Sequence, residues 1–212
     1  MTSPNFPSDD SVGGTSRRAL LRALTATPIA VSTAVASPWG EVLADLHDHY
    51  GDSPAALVRT KAGRSLSRFR YHNAESFYWG LGHGLYDNDG GEMLYRSGIV
   101  AQLALSSHLL DVGFADEWNA RHIRLDVAKS LAHANATGLG HDCPDMARLA
   151  AVLSPYWKWG HVHRIDAPSP NNGGFTVDEV RPLLRGLLDR VHDVTGHRRP
   201  NGWHREQRET RS

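Results

Sequence analysis

MLYRSGIVAQLALSSHLL, residues Met93–Leu110, decides the fold. Apolar side chains at Leu94, Ile99, Val100, Leu103, Leu105 and Leu109 fall on nearly every side of a helical wheel. A helix that is apolar all round buries itself among other elements, so this stretch predicts the middle of a helical core. Downstream, the spacing of Trp118, Leu125, Val127, Leu131 and Ala132 predicts a helix from about Ala115 to Ala136, stopped by Gly138. Another starts near Pro144 and buries Met146, Leu149 and Leu153. The last carries the best local signature in the chain. Thr176 and Glu179 stand as a capping box, with Phe175 and Val180 at the staple positions around it. Leu183, Leu184, Leu187, Val191 and Val194 supply its apolar stripe, and Gly196 ends it.

Upstream, Ser37-Pro38 opens a helix whose residues Trp39, Val42, Leu43, Leu46 and Tyr50 recur at helical spacing as far as Gly51. Ser53-Pro54 predicts a short helix through Val58, and Gly63 with Arg64, Arg68 and Arg70 predicts an exposed connection. Asn73 is the expected cap of a segment reaching Tyr86, weakened by Gly80, Gly82 and Gly84. Together these elements predict an all-α fold: a single orthogonal or irregular helical bundle of about five to six helices with few or no strands. From His197 onward the basic residues Arg198, Arg199, Arg205, Arg208 and Arg211 predict a frayed, disordered tail.

The N-terminal segment has a different character. Ser16-Arg17-Arg18-Ala19-Leu20-Leu21-Arg22 follows a loose polar stretch and precedes an apolar run diluted by Thr25, Thr27, Pro28, Ser32 and Thr33. The run ends in the small-x-small sequence Ala34-Val35-Ala36. It is too polar and broken for a stable membrane span, which needs about 20 predominantly apolar residues. The segment resembles a twin-arginine (Tat) signal peptide over residues 1–36. That resemblance implies recognition through Arg17 and Arg18, the Tat export machinery as a partner, and a periplasmic mature protein exported in the folded state. The expected organisation is a signal over 1–36, a helical domain over 37–196 and a basic tail over 197–212.

Composition narrows the function classes. The 212 residues carry 23 basic and 23 acidic side chains. Setting aside residues 1–36, which hold Arg17, Arg18, Arg22, Asp9 and Asp10, leaves 20 against 21, so no dominant nucleic-acid footprint is expected. Cys143 is the single cysteine, which excludes an intramolecular disulfide. No nucleophile elbow, phosphate loop, paired-cysteine metal motif or dinucleotide fingerprint occurs, and no cofactor is identified.

Chemistry is therefore sought among the 13 histidines. His47-Asp48-His49 lies in a helical pattern, where the two imidazoles point apart, and reads as a pair of surface residues at a helix end. His122, Asp126, Lys129 and His133 are spaced to share one helix face, which reads as a solvated stripe with Lys129 repelling any dication. Closed against another helix, the same face would let Asp126 hydrogen-bond His122. Beyond Pro155 and Gly160 the chain is expected to be extended. Trp157, Trp159, His161 and His163 then fall on one face as the expected ligand-binding stripe, with His161 and His163 as the metal-binding pair. The plainer role for the tryptophans is docking onto the core. Gly80-Leu81-Gly82-His83-Gly84 reads as a bend, Asp87–Glu92 as a turn before the buried helix, and His141-Asp142-Cys143-Pro144 as a helix-capping loop.

The leading expectation is a small exported helical protein of binding or accessory type without catalysis of its own. One alternative is a periplasmic metal- or cofactor-binding protein using some of His83, His122, His133, His161 and His163. The other is a cytoplasmic protein whose basic termini contact nucleic acid or a partner.

Overall fold

The computed structural model describes residues 38–81, 90–160 and 170–200, and no strand occurs among them. The fold is all-α. Its helices are α1 (Gly40–Tyr50), α2 (Lys61–Gly80), α3 (Gly90–Val112), the short α4 (Asp116–Trp118), α5 (Val127–Ala136), α6 (Pro144–Leu153) and α7 (Val177–Thr195). A π turn (Asn119–Ile123) follows α4, and a 3-10 turn (Tyr156–Trp159) follows α6. None of the described helices is long and apolar enough to cross a membrane.

The expected central helix is central. α3 packs against α2, α5, α6, α7 and the 3-10 turn, and Leu94, Val100, Leu105 and Leu109 are buried along its length. Each such leucine withdrawn from water contributes about 1.5–3 kcal/mol. α6 starts with Pro144 in its first turn and buries Met146, Leu149 and Leu153. α7 has the anticipated capping box, buries Val180, Leu184, Leu187 and Val191, and ends at Gly196 in the left-handed conformation at φ 67°.

Four expectations are corrected. Residues 52–60 are not helical. The Val58 N–H donates to the Gly113 carbonyl at 2.9 Å, laying this segment against the end of α3 so closely that a Cβ on Gly113 would sit 2.8 Å from the Val58 nitrogen. Arg64, Arg68 and Arg70 do not form a connection. They lie within α2, which is capped by Thr60 Oγ1 accepting from the Gly63 N–H at 2.9 Å, and two of them reach partners far along the chain: Arg64 pairs with Asp111 at 2.6 Å and Arg70 with Asp116 at 2.5 Å. Asn73, expected as a cap, is in the interior of the same helix. Finally, the basic tail begins ordered: His197 is 2% exposed and bonds Ser67 Oγ at 2.6 Å, while Arg199 reaches Asp189 at 2.7 Å.

Candidate functional site

The expected continuous helix from Ala115 to Ala136 is broken in two, and the break builds the most unusual local structure among the described residues. Asp126 is an N-cap, its Oδ1 accepting the Lys129 N–H at 2.8 Å, because a short acidic side chain competes with helical backbone bonding and favours a helix start. The N–H one residue earlier, that of Ala128, is taken by Ser154 Oγ at 2.8 Å. Residues before the cap close a wider turn instead, the Arg124 N–H donating to the Asn119 carbonyl at 2.9 Å. Arg124 then adopts φ 57°, ψ −123°, the sole positive φ at a non-glycine residue among those described. Such π turns and strained residues gather at functional sites.

The turn divides its side chains between two environments. Trp118 and His122 stack on one side, ring centroids 4.9 Å apart, with the Trp118 indole N–H donating to the Ser53 carbonyl at 2.9 Å. Here the buried carboxylate of Asp52 accepts Lys129 Nζ at 2.7 Å and faces His122 Nδ1 at 3.3 Å. His133, fully buried, donates from Nδ1 to the Lys129 carbonyl at 2.9 Å, which leaves its Nε2 a bare acceptor. That atom has no hydrogen-bond partner, and neither do His47 Nε2 or Asp52 Oδ2. The His47 and His133 rings lie 5.9 Å apart, with Trp118 within 5.6 Å of both. Burial lowers the pKa of both imidazoles below the ordinary histidine value, so they are neutral at pH 7. Among the described residues no three His, Cys, Asp or Glu side chains are arranged to hold a metal ion.

This cluster overturns two readings. His47 is not a surface residue: it is 5% exposed and packs inward, while His49 faces solvent. The row His122, Asp126, Lys129, His133 is neither one face nor a solvated stripe. The break at Arg124 separates His122 from the rest, Asp126 caps α5, and the carboxylate facing His122 and Lys129 is Asp52, contributed from beyond α1. Burial of Lys129 follows from that pairing.

Asn119 and Ile123 face the other side. There a cavity of about 130 Å³ is lined by Arg70, Gln102, Ser106, Leu109, Asp116, Asn119, Ile123, Arg124 and Ser130, among others. Arg70 hydrogen-bonds Ser106 Oγ and pairs with Asp116 at 2.5 Å, so the two charges cancel. Asn119 is 6% exposed, and Ser130 is fully buried. Neither the oxygen nor the nitrogen of the Asn119 carboxamide has a partner, nor does Ser130 Oγ. Nothing in the sequence singled out Asn119. The signal that could have located the turn is Asp126 read as a cap.

The stripe expected at Trp157, Trp159, His161 and His163 is not assembled in its described half. Tyr156–Trp159 is a 3-10 turn, in which side chains two apart diverge by about 120°. Trp159 is buried and donates from its indole to the Val152 carbonyl at 3.2 Å, whereas Trp157 is 45% exposed. Gly98 allows this docking, since a Cβ there would lie 2.0 Å from that of Tyr156. His161 and His163 lie outside the described residues, as do His83, the signal-like segment with Arg17 and Arg18, and residues 87–89 of the Asp87–Glu92 turn. Cys143 precedes α6 as its N-cap residue and is half-buried. Compared with known proteins, the chain matches no family model, no curated protein and no solved structure.

Proposed function

We propose that the mature domain is a binding protein for a small, uncharged polar molecule held in the cavity beside the π turn, and that residues 1–36 export it through the Tat pathway. The observation that carries the binding reading is the Asn119 carboxamide, buried against the cavity with its donor and its acceptor both unused. An unsatisfied buried amide costs roughly 1–3 kcal/mol, and the Arg124 conformation about as much again. In a domain stabilised by only about 5–15 kcal/mol, two such costs at one turn favour a ligand that supplies the missing partners.

The lining states the chemistry. Gln102, Ser106, Asn119 and Ser130 offer donors and acceptors, Leu109 and Ile123 an apolar wall; the charges of Arg70 and Asp116 cancel, and Arg124, though it lines the cavity, is solvent-exposed. A volume near that of a site that takes benzene suits a molecule of roughly six non-hydrogen atoms, such as a small amide, a urea or a short polyol. Titration of the full mature domain with acetamide, urea and glycerol, followed by amide NMR shifts at residues 116–130, tests the reading. Saturable shifts that vanish in Asn119→Leu support it; no saturable shift with any of the three overturns it. Export is supported by the Arg17-Arg18 sequence and its cleavage-like Ala34-Val35-Ala36. Mass spectrometry of envelope-localised protein should find a chain starting near Ser37, and Arg17→Lys with Arg18→Lys should retain it in the cytoplasm.

A further inference from the structure

A second opening lies where α2 meets the end of α7. Arg64, Arg68 and His72 follow one another at four-residue intervals along α2 and share a side. Gly196, His197 and Arg198 lie opposite, and these six residues line an open pocket of about 410 Å³. No acidic and no apolar side chain lines it.

The walls are held in place by their own bonds. Arg64 Nη1 donates to Asp111 Oδ1 at 2.6 Å and Nη2 to the Thr195 carbonyl at 3.2 Å, which closes off the end of α7. His72 Nε2 donates to the Arg198 carbonyl at 2.9 Å. His192 Nδ1 bonds the His197 carbonyl at 2.6 Å. Ser67 Oγ gives its proton to the Ser107 carbonyl, so it accepts from His197 Nε2. The backbone after α7 is thereby fixed against α2.

The charges do not balance. Asp111 offsets Arg64, whereas among the described residues no hydrogen bond or ion pair engages the guanidinium of Arg68 or of Arg198. Two cations therefore face one opening. His197 registers the same excess. Burial first, then the fields of Arg64, Arg68 and His72, push its pKa down to about 4 against the opposing pull of Asp111.

We propose that this pocket is a binding site for a phosphoryl dianion, presented as inorganic phosphate or as a small phosphomonoester. Such a group carries close to two negative charges at neutral pH and three strong acceptor oxygens. Guanidinium forks match those oxygens in pairs, and two unpaired forks match the charge. The pocket exceeds a bare phosphate in size and opens to solvent, leaving room for a substituent. It stands apart from the cavity beside the π turn, so its success or failure leaves that reading untouched.

The test is calorimetric titration of the full chain at low salt with inorganic phosphate and, separately, with phenyl phosphate. Binding with Kd of about 1 mM or tighter, weakened tenfold or more in Arg68→Gln with Arg198→Gln, supports the site. Both residues are exposed, and an unchanged circular-dichroism spectrum verifies that the variant is folded. A tighter Kd for phenyl phosphate identifies the monoester as the better ligand; equal values identify the free ion. Phosphate should also raise the NMR-detected pKa of His197, which a structural role for the arginines would not do. Absence of binding to both probes, or equal binding by the double variant, overturns the proposal.

Discussion

α7 and the segment from α4 to α5 are helical stretches of similar length with comparable apolar patterning in the sequence, yet they fold under opposite rules. In α7 the local signals agree: capping box, staple, stripe and left-handed glycine all fall where the helix begins, packs and ends. Its one breach, Pro182, removes the N–H that would bond the Asp178 carbonyl and lies on the exposed side. No buried side-chain atom of α7 lacks a hydrogen-bond partner. The α4–α5 segment instead inserts a π turn and a strained Arg124, and Asn119, Ser130 and His133 in it hold buried polar atoms without partners. Agreement across levels marks scaffold, and local conflict retained at a cost marks a site. The contrast is testable through sign: substitutions in α7 should destabilise, and those that relieve the π turn should stabilise.

The largest effect is expected at Arg185. It joins Glu75, whose carboxylate is fully buried, through two bonds of 2.8 and 2.9 Å, and Tyr71 donates to the same carboxylate at 2.5 Å. Arg185→Ala strands that charge and should cost about 3–5 kcal/mol, measured by urea unfolding. Replacing both partners by methionine should recover most of the loss. Next is Leu187→Ala, which opens a cavity at a fully buried position and should cost about 2–5 kcal/mol. Losses below about 1 kcal/mol at both would break the comparison, since α7 would then hold nothing together.

Which parts were legible follows from range. Caps and stripes act within one or two turns, so α3, α6 and α7 could be placed from residues such as Leu105, Pro144 and Thr176. The basic run in α2 was misread because the partners that hold it in a helix, Asp111 for Arg64 and Asp116 for Arg70, lie 47 and 46 residues away. The same holds for the site. His47, Asp52 and His133 converge only after α1 packs on α5, and the Asn119 cavity exists only because Asp126 competes as a cap. The histidine count pointed to the right residue type; the spacing His122–His133 pointed to a helix that is interrupted.

An intermediate effect is expected with pH. His47, His108, His133, His141 and His197 have pKa values lowered by burial, His108 and His197 to about 4. The unfolded chain, with ordinary histidines near 6.5, then binds more protons than the folded one, and stability is full above pH 6.5 and falls as pH drops toward 4. For His108 the loss is on the order of 3 kcal/mol across that window. Urea midpoints should decrease steadily from pH 7.5 to 4.5. His133→Gln retains a donor that cannot titrate, so its profile should be shallower; an identical slope would remove His133 from the buried cluster.

The smallest effect has the opposite sign. Arg124 occupies φ 57°, ψ −123°, a region open to glycine but costing an L-residue about 1–3 kcal/mol. Arg124→Gly relieves this strain and gives back about 0.5–1 kcal/mol through the greater freedom of the unfolded chain. A net gain of about 1 kcal/mol should remain, raising Tm by roughly 2–4 °C in a domain of this size. The gain should be accompanied by weaker binding at the neighbouring cavity, because the strained residue fixes the turn that presents Asn119. A variant that is both more stable and a weaker binder would identify the turn as structure kept for function. One that is less stable would show that the Arg124 side chain contributes more than its backbone costs, and the contrast with α7 would fail at the residue where it is sharpest.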